Sequence, residues 1–275
     1  MTSRRDFIKA SGTLTLGTFM WPHTWMPARN DVGLQLYSVR KEMLTDAVGT
    51  LQTLAKIGFK ELESARSEKG NYYGLKPAEI KKIAADLGMT VRSGHVHVDE
   101  NFHQAMDQAA EAGQDYLICS SMPSQGQTIE NYEKCADIFN KAAEDCKKHN
   151  LIFGYHNHEE EFEKVNGKVL YDILLEKTDP NLVKMEMDIG WLIVTGNDPY
   201  KYFEKYPDRF HLWHLKDMDL TKKVSVEFGK GGVDIKGLLK NASKTGMKYY
   251  FVEQEEYAVT AIQSLKDDMK YLNEI

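Results

Sequence analysis

Histidine and acidic residues recur at the ends of apolar, strand-length runs in the second half of this 275-residue sequence. Side chains alternate along a strand, so His156 and His158 are predicted to face the same side. Asp188, His214 and Glu253 lie near the ends of three later runs. Two imidazoles and two carboxylates suit a divalent ion of intermediate hardness. The sequence therefore predicts that His156, Asp188, His214 and Glu253 bind one such ion, with Mn²⁺, Co²⁺, Fe²⁺, Zn²⁺ and Mg²⁺ as the candidates.

A buried carboxylate needs a partner, and a metal is not the only one available. The alternative is a metal-free ion network in which Asp188 and Glu253 pair with Lys216 or Arg40. If a metal is bound, a chelated sugar carbonyl acidifies the adjacent C–H bond and an enediolate is stabilised. In that chemistry we expect Glu253 to act as base or base-ligand, His158 as proton donor to a leaving group, and Lys216 as a cation near the enediolate oxygen.

Six more residues are predicted near the same strand ends, where they can contact a substrate. They are Gln35, Tyr37, Glu63, His95, His97 and Trp191. Each has an alternative that involves no ligand. Gln35, Tyr37 and Trp191 can pack in the core, Glu63 can form a structural salt bridge, and the two histidines can be bonded within the protein or face solvent.

The elements that must position these residues follow a repeated pattern. From Asp31 onward, apolar runs alternate with longer amphipathic segments, as in βα units around a parallel sheet. The predicted strands are Val32–Tyr37, Glu61–Ser64, Thr90–Val96, Tyr116–Ser120, Ile152–His156, Val183–Asp188, Phe210–Leu215 and Tyr249–Glu253. The predicted helices are Leu44–Ile57, Pro77–Leu87, Asn101–Ala112, Ile129–His149, Val169–Lys177, Pro199–Tyr206, Ile235–Thr245 and Ala261–Asn273.

Eight such units fit an α/β fold of the (β/α)₈ TIM-barrel type, and we predict one catalytic domain over residues 30–275. Glycines after four of the helices suit left-handed C-caps; they are Gly58, Gly88, Gly113 and Gly246. An open doubly wound sheet is the competing architecture. It would normally carry a G-x-G-x-x-G loop, which this sequence lacks, and Gly229–Gly232 is better placed as a βα loop.

The net charge and the cysteine content of the sequence argue against some classes of function. The net charge is −6, and Lys and Arg are scattered, so no footprint for nucleic acid is visible. Cys119, Cys135 and Cys146 are odd in number and lack Cys-x-x-Cys spacing, which argues against a disulfide framework or thiolate metal site. We expect buried or helix-face thiols. The sequence leaves open whether the chain forms a homo-oligomer.

The first 29 residues are predicted to be a twin-arginine signal segment. Ser3–Lys9 contains Arg4 and Arg5 and precedes an apolar stretch, Ala10–Trp21, that is too short to span a bilayer. We expect export, with a periplasmic location and no stable membrane anchor. The alternative is a cytosolic chain in which the two arginines occur by chance.

Together these motifs resemble those of a known protein family. The sequence resembles the sugar phosphate isomerase/epimerase family, also called xylose isomerase-like TIM barrels, over nearly the whole predicted domain. The matching segments are Gly33–Arg40, Tyr155–His158, Glu161–Phe162, Asp188–Trp191, His214–Asp217, Glu227–Gly229, Gly232–Asp234 and Glu253–Gln254.

The resemblance implies a metal bound by Glu, Asp, His and Glu, which correspond by position to His156, Asp188, His214 and Glu253. The first ligand is thus His instead of Glu. In ketose epimerases of the family the two metal-bound glutamates also move protons on opposite substrate faces, so His156 removes one base. Glu159 and Glu161, just beyond the strand, are the candidates to replace it.

Three functions follow as hypotheses. The family default is a divalent-metal-dependent isomerase or epimerase acting on a sugar or polyol carbonyl through an enediolate. The second is a lyase or hydratase acting on keto-sugars, keto-glycosides or keto-inositols, which needs one base and one acid; His156 slightly favours it. The third is a non-catalytic sugar-binding protein. All three have a small carbohydrate as ligand.

Overall fold

A closed barrel of eight parallel strands forms the centre of the computed structural model, which describes residues 31–275. In chain order the strands are β1 (Gly33–Gln35), β2 (Glu61–Ser64), β3 (Thr90–Val96), β4 (Tyr116–Cys119), β5 (Ile152–His156), β6 (Lys164–Val165), β7 (Lys168–Val169), β8 (Val183–Asp188), β9 (Phe210–Leu215), β10 (Asp217–Asp219), β11 (Val224–Val226) and β12 (Tyr249–Val252). The barrel order is β1-β2-β3-β4-β5-β8-β9-β12, and β6–β7 and β10–β11 are antiparallel pairs. The predicted (β/α)₈ TIM barrel is confirmed.

Helices separate most of the barrel strands. They are α1 (Arg40–Thr45), α2 (Ala47–Ile57), α3 (Pro77–Asp86), α4 (Phe102–Ala112), α5 (Ile129–Lys148), α6 (Leu170–Lys177), α7 (Ile189–Val194), α8 (Pro199–Lys205), α9 (Ile235–Asn241) and α10 (Ala261–Glu274). Short 3₁₀ turns lie at Leu36–Val39, Glu160–Phe162 and Ala242–Lys244. Gly58 and Gly113 end α2 and α4 in the left-handed conformation, as predicted.

Local side-chain bonds account for two differences from the predicted helices. The segment predicted as Leu44–Ile57 is split at Asp46, whose carboxylate accepts a hydrogen bond of 2.9 Å from the amide of Gly49 and caps α2. The helix α7 was not predicted. It begins immediately after β8 because Asp188 Oδ1 accepts a 2.8 Å bond from the amide of Trp191.

The barrel interior has an apolar floor. Tyr116, Ile118, Leu212 and Phe251 form a buried cluster of their own, separate from the larger core between strands and helices. Leu212 comes two residues before His214, and Phe251 comes two before Glu253. Because side chains at i and i+2 share a strand face, this cluster lies beneath the polar residues nearer the carboxyl ends of the strands.

The glycine-containing loop after β11 is held by one carboxylate. Asp217 Oδ1 accepts from the amides of Met218 and Val233, and its Oδ2 accepts from those of Gly229 and Gly231, all at 2.9–3.0 Å. A Cβ atom at Gly231 would lie 2.2 Å from Asp217 Oδ1. Glycine is therefore required there for the loop to approach the carboxylate.

Three further points concern the cysteines, membrane-spanning helices and the predicted signal segment. All three cysteines carry free, buried thiols, as expected. Among residues 31–275, no helix combines the length and apolar character needed to cross a bilayer. The signal segment predicted at residues 1–29 lies outside the described part of the chain, so export stays a prediction.

Candidate metal centre

The four predicted metal ligands meet inside the carboxyl end of the barrel. His156 and Asp188 end β5 and β8, His214 lies in β9, and Glu253 directly follows β12. One donor atom from each lies within 4.8 Å of the others, and all four residues are buried. We call His156, Asp188, His214 and Glu253 the outer set.

Lys216 is fully buried against this set. Its Nζ lies 2.9 Å from Asp188 Oδ2, 2.8 Å from Glu253 Oε2 and 2.7 Å from Glu255 Oε1. Burial acts to lower the pKa of Lys216, but the carboxylates outweigh it and raise that pKa well above its usual value. The ion pairing considered with Lys216 is thus present. Arg40 instead donates to the backbone carbonyls of Tyr37 and Glu255.

A second polar group lies behind His214. Glu63 from β2, His95 from β3 and Glu186 from β8 are buried together, and we call them the inner cluster. His95 Nε2 lies 2.6 Å from Glu186 Oε2 and 3.2 Å from Glu63 Oε1. His214 Nε2 lies 2.6 Å from Glu63 Oε1 and 3.2 Å from Glu186 Oε2. The polar interior is therefore larger than the outer set.

Glu186 is the member of the inner cluster that sequence reasoning missed. It precedes Asp188 by two residues on the same strand, and side-chain alternation is the signal that could have placed both carboxylates in the barrel interior. Burial, together with the charge of Glu63, raises the pKa of Glu186 to about 7. Burial also acts to lower the pKa of His95, but Glu63 and Glu186 outweigh it and raise that pKa to about 9.

His156 differs from the other imidazoles in its environment. Burial, followed by the neighbouring charges of His214 and His158, lowers the pKa of His156 well below its usual value. It is therefore neutral at physiological pH, which is the state in which an imidazole binds a metal.

The outer set fits a divalent cation. Asp188 Oδ2 and His156 Nδ1 are buried, and within residues 31–275 neither has a hydrogen bond of suitable geometry, although Lys216 Nζ lies 2.9 Å from the former and Glu186 Oε2 lies 3.2 Å from the latter. Leaving such atoms unsatisfied costs free energy, and a cation would satisfy them. Two imidazoles and two carboxylates are also a common donor combination for divalent first-row transition metals.

Of the six residues predicted to contact substrate, Gln35, Glu63 and His95 are buried, whereas Tyr37, His97 and Trp191 are at least partly exposed. Gln35 and Glu63 are fully buried and bonded to each other, with Gln35 Nε2 2.8 Å from Glu63 Oε1. Tyr37 is 39% exposed, and His97 is half-buried with its Nδ1 against the hydroxyl of Ser121. The Trp191 ring centroid lies 5.1 Å from Lys216 Nζ, beside the outer set. Their roles toward a substrate stay predictions.

The two glutamates considered as replacement bases are engaged elsewhere. Glu161 is buried and accepts hydrogen bonds from the hydroxyl of Tyr155 at 2.6 Å and the amide of His158 at 2.7 Å. Glu159 pairs with Lys223 at 2.7 Å. His158 itself is half-buried, with its ring centroid 4.8 Å from that of His156.

Fold and site together define a TIM-barrel protein of an enzyme superfamily, with a buried His, Asp and Glu cluster suited to a metal. The model of the xylose isomerase-like TIM barrel family matches residues 51–275. The chain therefore belongs to that family, which confirms the resemblance found in its sequence.

Individual proteins that are similar in sequence or structure agree with membership of this family. A solved sugar phosphate isomerase/epimerase from Parabacteroides distasonis ATCC 8503 is 28% identical, with a TM-score of 0.78 over 96% of this chain and 97% of the other. A second solved structure of that description and organism is 30% identical, with a TM-score of 0.78 over 89% and 98%. An inosose dehydratase of Geobacillus kaustophilus is 30% identical over 109 residues, which are 38% of this chain. The match spans only 35% of that relative's length.

Proposed function

We propose that this protein is a divalent-metal-dependent lyase that eliminates water or an alcohol from a keto-inositol, keto-sugar or keto-glycoside. The observation that carries the proposal is the shortage of a second base. His156 stands where family epimerases have a metal-bound glutamate, and the carboxylates of Glu159 and Glu161 are held by other partners. Elimination needs one base and one acid, and the outer set with His158 supplies both.

The names of similar proteins support elimination as well. Relatives from Geobacillus kaustophilus and Clostridium tetani, 30% and 34% identical over the matched parts, are inosose dehydratases. Each match spans about a third of the relative's length, so their reaction supports the proposal only in part. We take from them the substrate class, a polyhydroxylated ketone that loses water.

Glu253 is the proposed base. A divalent ion bound in the outer set would acidify the C–H bond next to a chelated ketone. Burial acts to raise the pKa of Glu253, but Lys216 and His214 outweigh it and hold that pKa well below its usual value. The carboxylate is thus kept ionised, which is the state that a base requires. Lys216, held by Asp188 and Glu253, lies ready to offset negative charge that develops on the substrate oxygen.

His158 is the proposed acid. As the C–H electron pair forms the new double bond, the C–O bond at the β carbon breaks, and the departing oxygen takes a proton from the imidazole. The substrate proton stays on Glu253 until the product leaves. The sum is loss of water, or of an alcohol from a glycoside, without an external oxidant or reductant. Trp191, beside Lys216, is the proposed face on which a sugar ring stacks.

Isomerisation or epimerisation is the second candidate, because both Parabacteroides distasonis structures are described as sugar phosphate isomerase/epimerase. A non-catalytic sugar-binding protein is the third, and it needs neither metal nor base. These functions predict different fates for a proton next to the substrate carbonyl.

The test is incubation of metal-loaded protein with an inosose, and separately with a keto-glucoside, in heavy water. Nuclear magnetic resonance would follow deuterium, and ultraviolet absorbance would follow a conjugated ketone. We expect an unsaturated product that does not form with Glu253→Gln. Deuterated or epimerised substrate without elimination would favour the second candidate. Saturable sugar binding with no exchange would favour the third.

A further inference from the structure

The two ring nitrogens of His214 face different groups. Nδ1 faces the outer set, 2.8 Å from Glu253 Oε2 and 3.9 Å from Asp188 Oδ2. Nε2 faces the inner cluster, 2.6 Å from Glu63 Oε1. A neutral imidazole carries a proton on one nitrogen and a lone pair on the other. In the metal-free protein Nδ1 also bonds to the carboxylate of Glu253, so a divalent ion would have to displace a proton from Nδ1, and the group that holds the proton on Nε2 would direct the ion to Nδ1.

A chain of hydrogen bonds makes Glu63 Oε1 a hydrogen-bond acceptor. The amide of Tyr37 donates to Gln35 Oε1 at 2.9 Å, so the side-chain amide of Gln35 must present its Nε2 on the other side. That Nε2 donates to Glu63 Oε1 at 2.8 Å. Gln35 and Glu63 are register partners on β1 and β2, which keeps this bond between adjacent strands. Glu63 Oε1 is thus held as an acceptor, and His214 Nε2 must be the donor.

We propose that Glu63, oriented by Gln35, is a positioning residue that keeps the proton of His214 on Nε2 and reserves Nδ1 for a divalent ion. This rests on the proposed metal in the outer set. It gives Glu63 and Gln35 a role behind the metal ligand instead of the substrate contact predicted from sequence. Both side chains are fully buried, which agrees with that role.

The remaining inner-cluster residues help to hold the carboxylate. His95 Nε2 lies 3.2 Å from Glu63 Oε1 and 2.6 Å from Glu186 Oε2, so it joins the two acids. No Lys or Arg among residues 31–275 forms an ion pair with Glu63 or Glu186; their charged partners are imidazoles alone. The negative charge of Glu63 is therefore available to make His214 a stronger electron donor toward a metal.

The test measures zinc affinity by competition with a chromophoric chelator, in wild type, Glu63→Gln and Glu63→Leu. Removing the outer partner of a metal-bound histidine typically costs about 10–100-fold in affinity. We expect roughly a tenfold loss in Glu63→Gln, which keeps an acceptor oxygen, and roughly 100-fold in Glu63→Leu, which does not. Each should still bind one equivalent at saturating zinc. Glu61→Gln, on the same strand but paired with Arg92, is the matched control and should keep wild-type affinity.

A second readout separates positioning from general damage. In zinc-loaded protein, the ¹⁵N shifts of His214 should show a protonated Nε2 in wild type and Glu63→Gln, and a changed Nε2 environment in Glu63→Leu. Unchanged zinc affinity in both Glu63 variants would overturn the proposal. Complete loss of the bound equivalent in Glu63→Gln, as expected for Asp188→Asn, would also overturn it by making Glu63 a direct ligand. A wild type that binds no zinc would instead refute the metal site on which the proposed function depends.

Discussion

The ammonium group of Lys216 lies 2.9 Å from the carboxylate of Asp188, and both side chains are fully buried. Nζ also lies 2.8 Å from Glu253 Oε2, so one cation of the protein contacts two carboxylates of the outer set. This arrangement offsets part of the negative charge of the buried acids when no metal is bound. It also means that a divalent ion and Lys216 share the same two ligand residues.

Replacement of Lys216 by methionine should make folding depend on metal. Without the ammonium, two buried carboxylates lose their partner, and breaking a buried ion pair typically costs about 3–5 kcal/mol. We expect a large drop in the melting temperature of metal-free Lys216→Met and a larger rise on adding Mn²⁺ or Zn²⁺ than wild type shows. Thermal unfolding with and without metal measures this. Equal metal-induced shifts in the two proteins would contradict it.

Asp188→Asn and Glu253→Gln should each weaken metal binding more than a change in an outer partner, for which about 10–100-fold is typical. Each change removes a charged oxygen donor while keeping side-chain size. Elemental analysis and zinc titration measure the loss. Glu255→Gln is the matched control, because Glu255 contacts Lys216 but lies outside the outer set. Full zinc occupancy in both ligand variants would remove the basis for the site.

His156→Glu should shift the reaction from elimination towards proton exchange or epimerisation. The variant returns a carboxylate to the position where family epimerases carry one, and a well-placed general base contributes about 10²–10⁴-fold. We expect the ratio of deuterated substrate to eliminated product to rise at least about tenfold. His156→Gln adds no base and is the control. The same ratio in both variants would argue against the one-base explanation.

Asp268 should make stability fall as pH rises. Its Oδ1 accepts a 2.7 Å bond from the amide of Phe228, and its Oδ2 is buried without a hydrogen-bond partner in the described chain. Burial, with the nearby charge of Glu227, raises the pKa of Asp268 to about 7. The fold thus favours the protonated acid, and this contribution is present in acid and lost as pH rises through about 7.

Asp268→Asn should remove that pH dependence. At pH 8 we expect the variant to be more stable by on the order of 2–4 kcal/mol, with the two proteins converging towards pH 4. Urea unfolding at several pH values measures the difference. Curves that stay parallel from pH 4 to pH 8 would show that Asp268 does not carry the effect.

The barrel was predictable because most of its strands have a clear boundary in the sequence, although the predicted Val32–Tyr37 forms a strand only over Gly33–Gln35. Glu61–Ser64, Thr90–Val96, Ile152–His156, Val183–Asp188 and Phe210–Leu215 have the predicted limits. Their apolar runs are buried on both faces, and polar or turn residues end them. The additions α7 and β10–β11 were missed because a side-chain cap and a loop pairing determine them, and neither produces a periodic pattern.

The outer set was likewise predictable, since its residues lie where strands end. The inner cluster was not recognised as a unit. Glu63 and His95 were considered one at a time as substrate contacts, and Glu186 was read as part of a strand. Their convergence depends on the register of β2, β3 and β8 across the barrel, which a single sequence does not specify.

Asp217 limits which substitutions the loop after β11 can tolerate. Four amides from Met218, Gly229, Gly231 and Val233 depend on its one carboxylate. Within the segment after β11, Asp268 separately accepts a hydrogen bond from the amide of Phe228, and the carbonyl of Met218 accepts one from the amide of Gly232. Loss of Asp217 would therefore leave the amides of Gly229, Gly231 and Val233 without their acceptor at once, whereas a change in an exposed side chain of the loop would remove none of these bonds.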